Sequence, residues 1–295
     1  MTKIHIIDAF TKVAGTGNRA GVVLEADGLN ASEMQAIAAF AGYSETAFVL
    51  SPSSDDHDIH VRYFTPSAEV PICGHATIAT HFLRATMWGT DTYPVRAKTG
   101  AGILPVSVAS EGDDLLVSMT QGAVEFGAVF NEIERNQLAS ALNIDLSEFV
   151  DALPIQIVST GHSKVIVPLR SRQVLDALAP DQNKLIDLSK TVGCNGFFPF
   201  VLEGTKDHPV TYGRMFAPAI GIFEDPVTGN ANGPAGAYLV ENQLVTLPRN
   251  GITYSGHQGY SMGKSGTVHV TVVATDTGLR TSIAGHAVIA GTREC

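Results

Sequence analysis

The sequence predicts an α+β fold of two pseudo-symmetric lobes, each a curled, mostly antiparallel, barrel-like sheet around a central helix. Three observations carry that prediction. Short β-branched and aromatic runs bounded by turn residues recur along the chain, as strands do. Two segments at helical spacing are rich in Ala and Gly, small enough for surrounding strands to approach closely. And the chain echoes itself. Thr16–Leu24 resembles Thr160–Leu169, Met34–Leu50 resembles Leu185–Val201, and Arg62–Leu83 resembles Arg214–Leu239. The offsets between matched residues grow slowly in chain order: 144 from Thr16 to Thr160, 151 from Met34 to Leu185, and 155 from Cys73 to Thr228. Ordered matches near half the chain length read as a duplication.

The elements follow in order. HIIDAF near the start reads as a first strand, since Lys3, His5 and Asp8 interrupt any signal-peptide core. AGVVL, TAFVL, IHVRYF and LLVSM read as further strands. Ser32 to Ala41 places Met34, Ile37, Ala38 and Ala41 at helical spacing, with Ser32 as the expected cap and Gly42 as the stop. A second helix is expected from Gly74 to Met87, with Ile78, Phe82 and Leu83 on one face and the small Ala76, Ala79 and Ala85 elsewhere. Its counterpart is Gly229 to Val240, where Pro234 is tolerable only near the start. Glu132 to Asp151 reads as an exposed helix. The boundary is placed near 120–125, giving lobes of 1–122 and 123–295, with a last strand able to cross back to the first lobe.

Composition bounds the function. The chain has 295 residues, 44% hydrophobic, and a net charge of −10. That is apolar enough for a full core. The acidic balance and scattered Lys and Arg argue against nucleic-acid and membrane partners, and no apolar run reaches the roughly 18–20 residues of a membrane span. Three cysteines, Cys73, Cys194 and Cys295, form no Cys-x-x-Cys and no disulfide framework, so a reducing, cytoplasmic setting is expected. The ten histidines show no zinc spacing with cysteine. A Gly-x-Ser-x-Gly elbow is absent, as is a strand–turn–helix phosphate loop.

A two-lobed chain is expected to hold its ligand where the lobes meet. Helix N-termini at Cys73-Gly74-His75 and Thr228-Gly229-Asn230 would offer backbone N–H groups to a carboxylate. Glu45 follows a helix and precedes apolar Ala47 and Phe48, where desolvation would raise its pKa toward the range of a general acid/base. Its echo is Gly196, so the repeat itself does not require a carboxylate there. An ordinary solvated loop acid is the competing reading. Asp225 could cap a helix and His75 could pack on its turn. Cys73 at a helix start could be a base or nucleophile, or inert packing. Its echo, Thr228, is too weak an acid to be a mirror partner, which disfavours a symmetric two-thiol racemase. Asn18, echoed by His162, could hold a turn or bind substrate.

Several motifs then form a known pattern. They are Gly17-Asn18-x-Ala20-Gly21, Ser44-Glu45-Thr46-Ala47-Phe48, and Phe64-Thr65-Pro66 with Glu69 through Cys73-Gly74-His75-Ala76-Thr77. In the second half come Glu224-Asp225-Pro226-Val227-Thr228-Gly229 and Gln258-Gly259-x-x-Met262-Gly263. From about residue 5 to 290 the sequence resembles the phenazine-biosynthesis isomerase-like (PhzF-like) proteins, which share the diaminopimelate epimerase fold, and most of all their YddE-like bacterial branch. The resemblance implies catalytic Glu45, His75 and Asp225, with Asn18, Cys73, Gly74, Thr228, Gly229 and Asn230 binding substrate. It implies no cofactor or metal, and often a homodimer. In the phenazine makers the trio moves a proton between carbons of a dihydro-hydroxyanthranilate ring. Arg19 stands where those proteins have proline, Asn230 where they have serine, and Cys73 where they have alanine. An enlarged, charged mouth at Arg19 is therefore expected.

The leading expectation is a cofactor-independent isomerase acting on a small carboxylate through Glu45. The alternatives are an epimerase or racemase using Cys73, and a non-catalytic carboxylate-binding or assembly protein.

Overall fold

The computed structural model describes residues 1–89 and 94–295. The chain divides into two compact units, one of Met1–Thr120 with Ala284–Cys295 and one of Gln121–Ile283.

The first unit contains strands β1 (Lys3–Ala9), β2 (Asn18–Val23), β3 (Glu45–Leu50), β4 (Ile59–Phe64), β5 (Glu69–Val70), β6 (Val95–Thr99), β7 (Gly102–Glu111) and β8 (Asp114–Thr120), with helices α1 (Ala31–Ala41) and α2 (Gly74–Trp88). β1 pairs antiparallel with β2, β2 parallel with β3, β3 antiparallel with β4, β4 parallel with β6, and β6 antiparallel with β7, which pairs with β8. Each parallel pair is bridged by a helix, as parallel pairing requires.

α1 begins at Asn30 rather than at the expected Ser32. The Asn30 side chain accepts from the N–H groups of Ser32 and Glu33, and Glu33 accepts from the Asn30 N–H, a complete capping box. Its apolar positions Met34, Ile37 and Ala38 pack with Ile4, Val23, Phe48 and Phe64. α2 is different in kind. Every residue from Gly74 to His81 is buried, so no polar face exists, as for a helix enclosed by its sheet. It packs against β1, β2, β3, β7 and β8, strands from both ends of the ladder. The sheet therefore curls around it.

The second unit contains β9 (Glu125–Val129), α3 (Glu132–Leu142), β10 (Gln156–Ser159), β11 (Lys164–Pro168), α4 (Arg172–Ala177), α5 (Gln182–Val192), β12 (Phe197–Gly204), β13 (Pro209–Gly213), β14 (Met215–Ala217), β15 (Ile222–Asp225), α6 (Gly229–Glu241), β16 (Ile252–Gln258), β17 (Gly266–Thr275) and β18 (Gly278–Gly285). β10, β11, β12, β13, β16 and β17 pair in the sequence antiparallel, parallel, antiparallel, parallel, antiparallel, the order found in the first unit. The duplication read from sequence is thus a duplication of strand pairing. α6 packs against β10, β11 and β17 and is buried continuously from Ala231 to Leu239. The helix runs through Pro234, which stands in its second turn. The last strand, β19 (Ala287–Glu294), lies in the first unit and pairs antiparallel with β1 from Lys3↔Glu294 to Ala9↔Ala287.

One expected element is shorter than predicted. The helix expected from Glu132 to Asp151 stops at Leu142, because Asn143 takes the left-handed conformation at φ 55° and closes the last turn. Nor is it simply exposed: Leu138, Ala139, Ala141 and Leu142 join a core with Leu185 and Leu188 of α5.

Candidate active site

In the first unit β3 and α2 bring three reactive side chains together. Glu45 opens β3, opposite Ala20 of β2. Cys73 is the N-cap residue of α2 and His75 lies in its first turn. His75 Nε2 lies 3.3 Å from Glu45 Oε2 and 3.3 Å from Ser44 Oγ. Cys73 Sγ lies 3.4 Å from His75 Nδ1 and 3.8 Å from Nε2. The side chains of Glu45 and His75 are only 13% and 7% exposed. Glu45 is therefore not a solvated loop acid.

The Glu45–His75 contact is close but poorly aligned. Glu45 Oε2 is buried without a hydrogen-bond partner. Buried carboxylate oxygens are almost always satisfied, and one that is not calls for an explanation such as a catalytic role. Above it, the intrahelical ladder of α2 starts with Thr77 N–H donating to Cys73 O. The N–H groups of Gly74, His75 and Ala76 belong to the unbonded first turn, so partial positive charge faces the start of the helix beside the carboxylate. The trio also presents one ligand atom each within 4.8 Å of one another, close enough for a metal ion.

The second unit holds a separate polar network at the start of α6. Asp225 ends β15 and its carboxylate accepts from the Thr228 hydroxyl. Gln258 ties the turn together. Its Nε2 donates to Asp225 O at 2.7 Å and to Thr228 Oγ1 at 3.2 Å, and its Oε1 accepts from Thr228 N–H at 3.0 Å. Asn232 Nδ2 donates to that same Gln258 oxygen at 3.1 Å. Asn230 Oδ1 accepts from Gln121 Nε2 at 3.1 Å. Gly259 after Gln258 is obligatory: φ is +86°, and a Cβ would lie 2.2 Å from the Lys264 carbonyl and 2.8 Å from that of Pro226.

Sequence reasoning missed a cation in this unit. Lys164 opens β11, is 3% exposed, and its Nζ donates to His162 Nδ1 at 2.8 Å and to Ser163 O at 3.1 Å. Burial lowers its pKa to about 8, against the pull of Cys194 and Asp225. Burial, and then the Lys164 charge, hold His162 down to about 4. His162 is thus neutral near pH 7 and can accept from the ammonium. The available signal was Gly196, the echo of Glu45. A Cβ there would meet Lys164 Cδ at 2.5 Å. Where the first half places a carboxylate, the second leaves room for a lysine stem.

Arg19 also corrects an expectation. It does not offer a free charge, because Nε and Nη2 hold the two oxygens of buried Asp8 at 2.7 and 2.9 Å across the β1–β2 pair. Asn18 is buried at the first position of β2, opposite Ala9.

Residues 7–293 match the sequence profile of the PhzC-PhzF family, phenazine biosynthesis-like protein. The chain belongs to this family. It is 45% identical to the uncharacterized isomerase YddE of Escherichia coli K12, over 97% of this chain and 96% of that one. It is 34% identical to trans-2,3-dihydro-3-hydroxyanthranilate isomerase of Pseudomonas chlororaphis, over 80% of this chain and 79% of that enzyme. Among solved structures, the Bacillus anthracis phenazine biosynthesis protein of the PhzF family superposes with a TM-score of 0.88 at 33% identity, covering 100% of this chain and 98% of that one. A probable proline racemase of Agrobacterium radiobacter shares the fold, with a TM-score of 0.65 at 11% identity over 100% and 93% of the two chains. The epimerase-type fold expected from the sequence is therefore the fold of this chain, and its family is one of enzymes whose named members are isomerases.

Proposed function

We propose that the protein is a cofactor-independent isomerase that moves a proton between carbons of a small carboxylate substrate, with Glu45 as the group that takes and returns it. The observation that carries this reading is the buried, unpartnered Oε2 of Glu45, set 3.3 Å from His75 Nε2. A carboxylate so placed has a lone pair available for a C–H proton. On taking it, Glu45 becomes neutral and the substrate's electron pair spreads into its unsaturated, carboxylate-bearing system. Returning the proton to another carbon closes the cycle with no oxidant or reductant. His75, whose Nε2 lies 3.3 Å away, is proposed to orient or assist Glu45. The unbonded first-turn N–H groups at Gly74 are proposed to hold the substrate's carboxylate, with those at Gly229 as the second candidate anchor. Asp225, positioned by Thr228 and Gln258, is proposed to assist turnover. The Pseudomonas chlororaphis relative, named for isomerising trans-2,3-dihydro-3-hydroxyanthranilate, supports this reaction class.

One contact favours a second reading. Cys73 Sγ sits 3.4 Å from His75 Nδ1, the spacing of a thiol with a neighbouring base, so an epimerase acting through Cys73 is the alternative.

Exchange of solvent deuterium into substrate separates the two. The wild-type protein is incubated in heavy water with a panel of unsaturated and α-amino carboxylates, trans-2,3-dihydro-3-hydroxyanthranilate included. With a substrate found, exchange is expected to survive Cys73→Ser and to vanish in Glu45→Gln. The reverse pattern establishes the epimerase reading, and carboxylates that bind without ever exchanging overturn both.

A further inference from the structure

The same three side chains have a property that proton transfer does not use. Their donor atoms are a carboxylate oxygen, an imidazole nitrogen and a thiol sulfur, all within 4.8 Å of one another. Tetrahedral zinc, with bonds of about 2.0–2.1 Å to nitrogen and oxygen and about 2.3 Å to sulfur, sets neighbouring donors about 3.3–3.6 Å apart. The observed edges are 3.3 Å from Glu45 Oε2 to His75 Nε2 and 3.8 Å from that nitrogen to Cys73 Sγ. Side-chain rotations that draw in Cys73 Sγ, which lies within 4.8 Å of the other donors and nearer His75 Nδ1 than Nε2, would complete the face of such a tetrahedron.

The chemistry of the donors narrows the ion. Magnesium and calcium demand oxygen and are poorly served by a thiolate and an imidazole, whereas zinc accepts all three types. The unpartnered Oε2 of Glu45 is an acceptor with no protein donor in line. Cys73 and His75 are both buried, so the ion would be held away from bulk water on the protein side.

We propose that Glu45, Cys73 and His75 form a reversible inhibitory zinc site, in which Zn²⁺ is bound by Glu45 Oε2, Cys73 Sγ and His75 Nε2 with solvent in the fourth position. Binding releases the Cys73 thiol proton to solvent. It occupies the Glu45 lone pair, so that carboxylate can no longer take a proton from carbon. The binding half of the proposal stands on geometry alone; the inhibitory half rests on the proton-transfer role of Glu45 given above.

The test uses the full chain without substrate. Titration with Co²⁺, a spectroscopic substitute for zinc, is expected to raise a thiolate-to-cobalt charge-transfer band saturating at one equivalent, and Zn²⁺ is expected to displace it. In the same wild-type protein, Zn²⁺ is expected to shield Cys73 from a small thiol reagent, read peptide by peptide, while leaving Cys295 labelled. Cys73→Ser and His75→Gln should each weaken zinc binding at least about tenfold, whereas Cys194→Ser should not. Absence of the band, or labelling of Cys73 at an unchanged rate under saturating Zn²⁺, overturns the site and leaves the proton-transfer reading standing. With a substrate in hand, saturating Zn²⁺ is expected to abolish deuterium exchange, and a chelator to restore it. Tight binding at Cys73 with undiminished exchange overturns the inhibitory role and contradicts the assignment of Glu45.

Discussion

Lys164 shows how one side chain can carry a measurable signature of the fold. Its ammonium is buried against His162, and deprivation of water lowers its pKa from 10.5 to about 8. Below pH 8 the lysine is protonated in both folded and unfolded chains, and the penalty for burying charge is fully present. Between about pH 8 and 10.5 the unfolded chain holds more protons, so stability must rise with pH across that window. Denaturant midpoints measured from pH 7 to 10.5 should show the rise, and Lys164→Met should flatten it. His162 acts in the acid range with the same sign. Its folded pKa of about 4 lies below the ordinary 6.5. Stability is therefore lost as pH falls from 6.5 toward 4, because the unfolded chain takes up the proton first. Midpoints that do not vary over either window would contradict this placement of the pair.

Among the elements, the helices divide by what encloses them. α1 is an outer helix whose first turn depends on Asn30, which satisfies two backbone N–H groups while Glu33 satisfies a third. Asn30→Ala is expected to cost about 1 kcal/mol, read as a lowered denaturant midpoint with no change in exchange activity. α2 and α6 are enclosed instead, and their composition made them legible. Small residues such as Ala76 and Ala79, and the run Ala235-Gly236-Ala237, let strands approach closely, so a surrounding sheet could be inferred before any coordinate. Element ends were less legible. Asn30 with Glu33 and Ser32 with Gln35 both fit a capping box, so the local pattern does not distinguish them. The stop at Asn143 was hidden because a left-handed asparagine looks like any other polar residue in a helical run. Within the candidate site, the Ser44-Glu45-Thr46 and Cys73-Gly74-His75 motifs named residues whose side chains lie close together. That their side chains meet follows only from β3 and α2 lying side by side, a long-range fact no local pattern contains. Lys164 stayed hidden because a lysine beginning a strand is usually exposed.

At the scale of the whole molecule, the same ladder of strand pairings is built twice from segments with little identity. The first unit is nevertheless not closed by its own half of the sequence. β19 supplies a strand along the full length of β1, leaving its outer edge paired rather than open. Removing residues 286–295 should therefore destabilise the first unit more than the second. Amide exchange should increase in β1 and β2 while α5 and β12 keep their protection; uniform loss of protection in both units would contradict the division. Among the described residues, no helix is long and apolar enough to cross a membrane.

The proposed chemistry rests on Glu45, largely buried beside His75. The most direct measurement is the rate of solvent-deuterium incorporation into a substrate by the wild-type protein and by Glu45→Gln, which keeps the side chain's shape and removes its basicity. A positioned general acid/base contributes about 10²–10⁴-fold, so the variant, folded and still binding the substrate, should fall by at least about a hundredfold. Incorporation at the wild-type rate by Glu45→Gln would contradict the account.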